Sequence, residues 1–314
     1  MAYTSTELRA VQDYYGFESA APVEKDWHVT RVLASVGALD AAPFRLIFAG
    51  GTALARAHKL VRRMSEDIDF KIVLADSSSI SRNKLRLELG ALRDKVTAAL
   101  RDAGFALDPK DKTQLSSKNE NRYTVYHLPY GDVTGVDLRP TIQLELTYAR
   151  LRAAPVVLPV SSFIAEAFGR PPELPAMTCV SVMETAAEKL VALTRRVAME
   201  LAGLSRDPDP TLVRHIYDLH MIRDDLDLAA VADMSAAIAA DDAATFGNQY
   251  PAYLSDSSGE TRKALAALSA DPAYRERYAS FMRNMVYGGQ PKFEQAFGTV
   301  HELATLFLDR NIDL

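Results

Sequence analysis

Residues 48–70, FAGGTALARAHKLVRRMSEDIDF, decide how the chain is read. Phe44, Leu46, Ile47 and Phe48 lead in as a buried strand, and Gly50-Gly51 breaks that strand abruptly. Two glycines let the backbone approach a ligand closely and leave its amides free. Thr52 opens the next segment, a short helix expected over residues 53–62, where its hydroxyl can cap the helix or touch a phosphate oxygen. Fifteen residues after Thr52 comes Asp67-Ile68-Asp69, at the start of a strand, DIDFKIVL. Strand side chains alternate faces, so Asp67 and Asp69 project together. Two such carboxylates repel unless a cation lies between them. Hard oxygen ligands with open positions suit Mg²⁺, or Mn²⁺, carrying a nucleotide's phosphates.

Working outward, residues 5–37 read as helical, with Trp27, Val29, Val32, Leu33 and Val36 near helical spacing. A Ser77-Ser78-Ser79 loop follows the acidic strand. A helix is expected from Asn83 to Ala103, carrying Leu85, Leu89, Leu92, Val96 and Leu100 and closed by Gly104. Residues 121–129 and 138–149 read as two strands joined in a hairpin through Tyr130-Gly131-Asp132. Glu145 lies in the second, within TIQLELTY, where a charge between Leu144 and Leu146 should take the polar face. If that strand pairs beside the acidic one, Glu145 becomes a third metal ligand and a general-base candidate. A proline-containing connector over residues 155–175 leads into a helical C-terminal half.

The fold class expected is α/β (α+β): a small mixed sheet with flanking helices, followed by a helical C-terminal domain. The divisions expected are residues 1–43, helices packing on the core; 44–160, the core itself; and 161–314, a helical domain completing the active-site cleft.

Composition narrows the class. Hydrophobic residues are 48% and charged residues 25%, ordinary globular values that set disorder aside. The N-terminus lacks an apolar signal region, and no apolar run approaches membrane-spanning length, so a cytoplasmic protein is expected. The single cysteine, Cys179, excludes an internal disulfide and a thiolate zinc cluster. A net charge of −5 argues against a generic nucleic-acid coat. It leaves room for a local cleft, since the stretch from Arg56 to Lys71 is mixed and slightly basic. No Walker loop, dinucleotide-fold glycine motif or nucleophile elbow is present.

GGTAL at residues 50–54, and RRMSEDIDF at 62–70, resemble the nucleotidyltransferase toxins of the AbiEii/AbiGii (MenT-like) family, relatives of DNA polymerase beta-like transferases. EKDWHVTRVL (Glu24 to Leu33), EKLVALTRR (Glu188 to Arg196) and RHIYDLHMI (Arg214 to Ile222) are similar to flanking and downstream blocks of that family, in the same order. The resemblance implies transfer of a nucleoside monophosphate from a nucleoside triphosphate, with release of pyrophosphate. Some members modify the tRNA acceptor end and stop translation, beside a cognate antitoxin encoded nearby. On this likeness Gly50, Gly51, Thr52 and Arg63 bind nucleotide and Asp67, Asp69 and Glu145 hold metal. Lys189 meets the phosphates, and Asp218 is the carboxylate of the last motif.

Plainer roles stand beside these. Lys189 can solvate a helix face, and Asp218 can pair with Arg214 four residues earlier. Arg62, Arg195 and Arg196 can line a cleft or coat a surface. Trp27 reads as core and Cys179 as a small buried hydrophobe. A transferase acting on a protein or small molecule, and a non-catalytic nucleotide-binding regulator, are the competing functions.

Overall fold

The computed structural model describes residues 3–75, 80–131, 138–205 and 209–310. The Ser77-Ser78-Ser79 loop and Asp132 of the expected hairpin turn lie outside the described residues. The chain forms two compact units, one of Met1–Lys59 and Met64–Val180, the other of Leu60–Arg63 and Ser181–Leu314.

The first unit is built on a mixed seven-stranded sheet. Its strands are β1 (Phe44–Ala49), β2 (Asp67–Leu74), β3 (Leu115–Lys118), β4 (Tyr123–Pro129), β5 (Thr141–Tyr148), β6 (Val156–Val160) and β7 (Leu174–Cys179), in the order β3-β4-β5-β2-β1-β7-β6. β2 runs antiparallel to β1 and parallel to β5, while β4 and β5 form the expected antiparallel pair. The helices of this unit are α1 (Ser5–Tyr15), α2 (Ala21–Gly37), α3 (Gly50–Arg56), α4 (Arg82–Asp102) and α5 (Phe163–Ala167).

Alternation explains the core. Ile68, Phe70 and Ile72 of β2 are buried in one cluster with Leu144 and Leu146 of β5, Val32, Leu33 and Val36 of α2, and Leu85, Leu89, Leu92 and Val96 of α4. Each such burial contributes about 1.5–3 kcal/mol. It turns Asp67 and Asp69 to the opposite face of the sheet. Ser81 caps α4 by accepting from the Lys84 amide, and Gly104, at φ 87°, takes the left-handed turn that ends it.

Three local expectations need correction. The helix expected over residues 53–62 starts at Gly50 and stops at Arg56; Lys59 then adopts φ 59°, which no helix continues. The connector at 155–175 holds β6, α5 and β7, so the sheet runs on past residue 160 to Cys179. Prolines make the stretch look like a linker, yet Pro159 sits in β6, an edge strand where a missing amide costs nothing. The first unit accordingly takes in both the N-terminal helices and residues up to Val180. Trp27 is half-buried and not full core; it meets Tyr3 edge to face at 4.8 Å, with Arg31 over its ring. Cys179 is buried, as expected.

The second unit contains α6 (Val182–Leu201), α7 (Arg214–Ile222), α8 (Leu228–Phe246), α9 (Pro251–Ser255), α10 (Ser257–Ala270), α11 (Pro272–Met285) and α12 (Phe293–Arg310). Ser181 caps α6 by accepting from the Glu184 amide at 3.2 Å. Leu190, Val191, Leu193 and Val197 line the buried stripe of α6, which packs on α8 and α10. The short piece Leu60–Arg63 joins this unit through backbone: Arg63 bridges Val286, and the Tyr287 amide donates to the Arg62 carbonyl at 3.1 Å.

Candidate active site

The glycine corner sets the geometry. Gly50 has φ 75°, open to glycine at little cost, and a Cβ there would lie 1.9 Å from Asp69 Oδ2. Ala49 and Asp69 are register partners across β1 and β2, so the corner closes directly over this carboxylate. Thr52 is buried. Its hydroxyl lies 2.8 Å from the Ser65 hydroxyl and donates to the Asp67 carbonyl. It therefore ties α3 to the entry of β2, and the N-cap position of α3 belongs to Ala49, which has no side-chain cap. The expected capping role of Thr52 is replaced by a positioning one.

Register then brings the acids together. Asp69 pairs with Glu145 and Asp67 with Gln143 across the parallel β2–β5 ladder. The two-residue period places all four side chains on one face. Both oxygens of Glu145 have donors: Tyr123 Oη at 3.0 Å on Oε2 and Gln143 Nε2 at 2.6 Å on Oε1. Arg139 Nη1 donates to Asp67 Oδ1 at 2.7 Å and to Gln143 Oε1 at 3.0 Å. The Tyr123 hydroxyl titrates well above its ordinary range, first because it is buried, then because Glu145, Asp69 and Asp67 set negative charge around it. Three carboxylates thus act on one spot.

Whether these groups suit a metal follows from their chemistry. Asp67 and Asp69 are hard oxygen donors two residues apart on one face, and Asp67 already accepts from a cation. A divalent ion completed by phosphate oxygens and water fits that pair. Glu145, expected as a third ligand, stands beside Asp69 in the ladder but has its carboxylate turned to Tyr123 and Gln143. Among the described residues no three His, Cys, Asp or Glu side chains gather as a ready metal cage.

The downstream motif residues form a different structure within the second unit. Arg63 grips Asp218 in a two-pronged pair, Nε to Oδ1 and Nη2 to Oδ2, both 2.7 Å. Lys189 Nζ reaches Oδ2 at 2.8 Å. All three are buried, Asp218 completely. Burial pushes the Asp218 carboxyl up, but the two cations outweigh it and hold the group well below the usual carboxylate range. Burial draws the Lys189 ammonium down from its ordinary value, against the pull of Asp218. Neighbouring His215 is held far below 6.5, by burial and then by Lys189.

Arg63 and Lys189, expected at phosphates, are engaged here with Asp218, and Asp218 meets those two instead of Arg214, which lies 3.8 Å from Asp209. Arg195 pairs with Asp242 at 2.8 Å over the Phe246 ring, and Arg196 with Asp209 at 3.0 Å. Arg62 is exposed.

Sequence reasoning missed Gln143, Tyr123 and Arg139. Gln143 was within reach, two residues before Glu145 on the same strand face. The other two depend on pairing register and on a loop end, which no local pattern encodes.

A glycine corner closes over Asp69 of a strand-borne acid pair on a mixed sheet. The family model of the nucleotidyl transferase AbiEii toxin, type IV toxin–antitoxin system, matches residues 31–299, and the chain belongs to this family. It is a nucleotidyltransferase toxin. Among solved structures it is similar to MenT4, a nucleotidyltransferase toxin from Mycobacterium tuberculosis, with 16% identity and a TM-score of 0.54 over 98% of this chain and 90% of that one. That likeness speaks for the fold. No curated protein sequence matches the chain. Among the described residues, no helix is long and apolar enough to cross a membrane.

Proposed function

We propose that this toxin transfers a nucleoside monophosphate from a nucleoside triphosphate to RNA, at the acceptor end of tRNA, and so blocks translation in the cytoplasm until its antitoxin intervenes. The observation that carries the reading is the acid face: Asp67 and Asp69 on one side of β2, with Gly50 over Asp69 and Glu145 in register beside Asp69. The RNA acceptor rests on the family resemblance of the GGT, DID and downstream blocks.

Asp67 and Asp69 would hold Mg²⁺, or Mn²⁺, which when bound supplies positive charge to the triphosphate. The backbone at Gly50, where an added Cβ would strike Asp69, would let the phosphates approach the acid face closely. The acceptor hydroxyl oxygen attacks the α-phosphorus, forming the new phosphoester as the bond from that phosphorus to the β-phosphate oxygen breaks. Pyrophosphate leaves with the electron pair of that bond. The hydroxyl proton passes to the carboxylate of Glu145, which Tyr123 and Gln143 hold in a fixed orientation. Thr52 holds the entry of β2. Arg63, Asp218 and Lys189 act as positioning residues within their own unit.

The test is incubation of the protein with Mg²⁺, total tRNA and each α-labelled nucleoside triphosphate, beside Asp69→Ala. Label entering tRNA from one nucleotide, and lost in the folded variant, is the expected result. Label on protein or a small molecule would move the acceptor, and undiminished transfer by Asp69→Ala would overturn the acid assignment.

A further inference from the structure

Arg139 is held on the acid face with more structure than a solvent-facing arginine needs. Its amide donates to Glu66 Oε1 at 2.9 Å, and its carbonyl accepts from Lys25 Nζ at 2.8 Å and from the Tyr130 hydroxyl at 3.1 Å. Lys25, on α2, is fully buried, and its ammonium also pairs with Glu66. Burying an ammonium is costly unless it is paired and hydrogen-bonded, so one shared between Glu66 and the Arg139 carbonyl fixes where Arg139 stands. Pro140 adds to this by favouring extended backbone at Arg139. From that fixed point the guanidinium reaches Asp67 Oδ1 while 44% of the Arg139 side chain stays exposed. The backbone is clamped and the head can turn.

We propose that Arg139 is an internal counter-cation for Asp67, released when a nucleoside triphosphate arrives, so that metal and nucleotide enter the site together. This rests on the reading of the acid pair given above. A divalent ion seeking Asp67 Oδ1 meets a guanidinium already on that oxygen, and the two cations repel. A triphosphate offers the guanidinium fork other oxygens, so Arg139 leaves Asp67 with its own charge still matched. Only side-chain rotation is required. The coupling is reciprocal: nucleotide strengthens metal binding by the factor by which metal strengthens nucleotide binding.

The experiment measures Mn²⁺ binding to the full chain by electron paramagnetic resonance, alone and with a non-hydrolysable triphosphate analogue. Arg139→Gln removes the charge and keeps the backbone clamp; Arg139→Lys keeps the charge. Arg139→Gln should bind Mn²⁺ alone roughly three- to fivefold more tightly, the scale of losing one half-exposed ion pair, and the enhancement by analogue should shrink. Arg139→Lys should stay close to the original chain in both. Unchanged or weaker Mn²⁺ binding in Arg139→Gln, while Asp67→Asn weakens binding in the original chain, would overturn this inference alone. Mn²⁺ binding indifferent to Asp67→Asn would overturn the acid-pair reading and this inference with it.

Discussion

Replacing Gly50 with alanine should cost more in transfer than in the stability of the fold. The residue sits at φ 75°, and an added Cβ would meet Asp69 Oδ2 at 1.9 Å, Cγ at 2.8 Å and Cβ at 3.1 Å. A left-handed backbone costs an L-residue about 1–2 kcal/mol. The steric part falls elsewhere, because the atom struck is the end of a side chain that can rotate. The fold relieves the clash by turning the carboxylate of Asp69 away, and Oδ2 has to retreat by about 1.5 Å to reach an ordinary contact. A misplacement of about 1 Å at a reacting centre costs on the order of 100-fold in rate, or about 2.7 kcal/mol of activation free energy. Transfer of α-label under single-turnover conditions reads the rate, and urea unfolding reads the stability. Introducing Gly50→Ala into Asp69→Ala removes the clashes with Oδ2 and Cγ and leaves the backbone cost beside one tight Cβ contact at 3.1 Å, so the stability loss there should stay near 1–2 kcal/mol. A folded Gly50→Ala protein with an undiminished rate would refute the reasoning.

Two further outcomes follow from buried charge. Asp218→Asn leaves the Arg63 and Lys189 cations buried without their anion, and should cost about 3–5 kcal/mol in urea unfolding. A loss below about 1 kcal/mol would show that the ion triad is not what holds α6, α7 and the Leu60–Arg63 segment. Asp26 is buried, and burial, only partly offset by Arg56 and the Phe163 amide, raises its carboxyl from 3.8 to about 6. Because the folded value lies above the unfolded one, this group's stability is fully present below pH 3.8 and is lost as pH rises through about 6. The original chain should thus lose about 3 kcal/mol relative to Asp26→Asn between pH 4 and 7, measured by unfolding both across that range. Parallel stability profiles would contradict it.

The sequence by itself determined what local rules govern. Asp67 and Asp69 share a face because strand alternation is a property of two neighbouring peptides, and the glycine pair announces a corner because only glycine takes that backbone cheaply. The helices of both halves were legible from apolar spacing, and the resemblance of ordered blocks carried the enzyme class. Tertiary structure alone decided what those residues meet. Glu145 reaches Asp69 only through the register of a parallel ladder whose strands lie far apart in sequence. Arg63 finds Asp218 across 155 residues, turning two apparent phosphate ligands and a motif carboxylate into a closed ion triad. The strands β6 and β7 look like a proline linker until β1 supplies a partner for β7. Pairing energies between distant segments are set by what the fold brings together, and no window of sequence contains both partners.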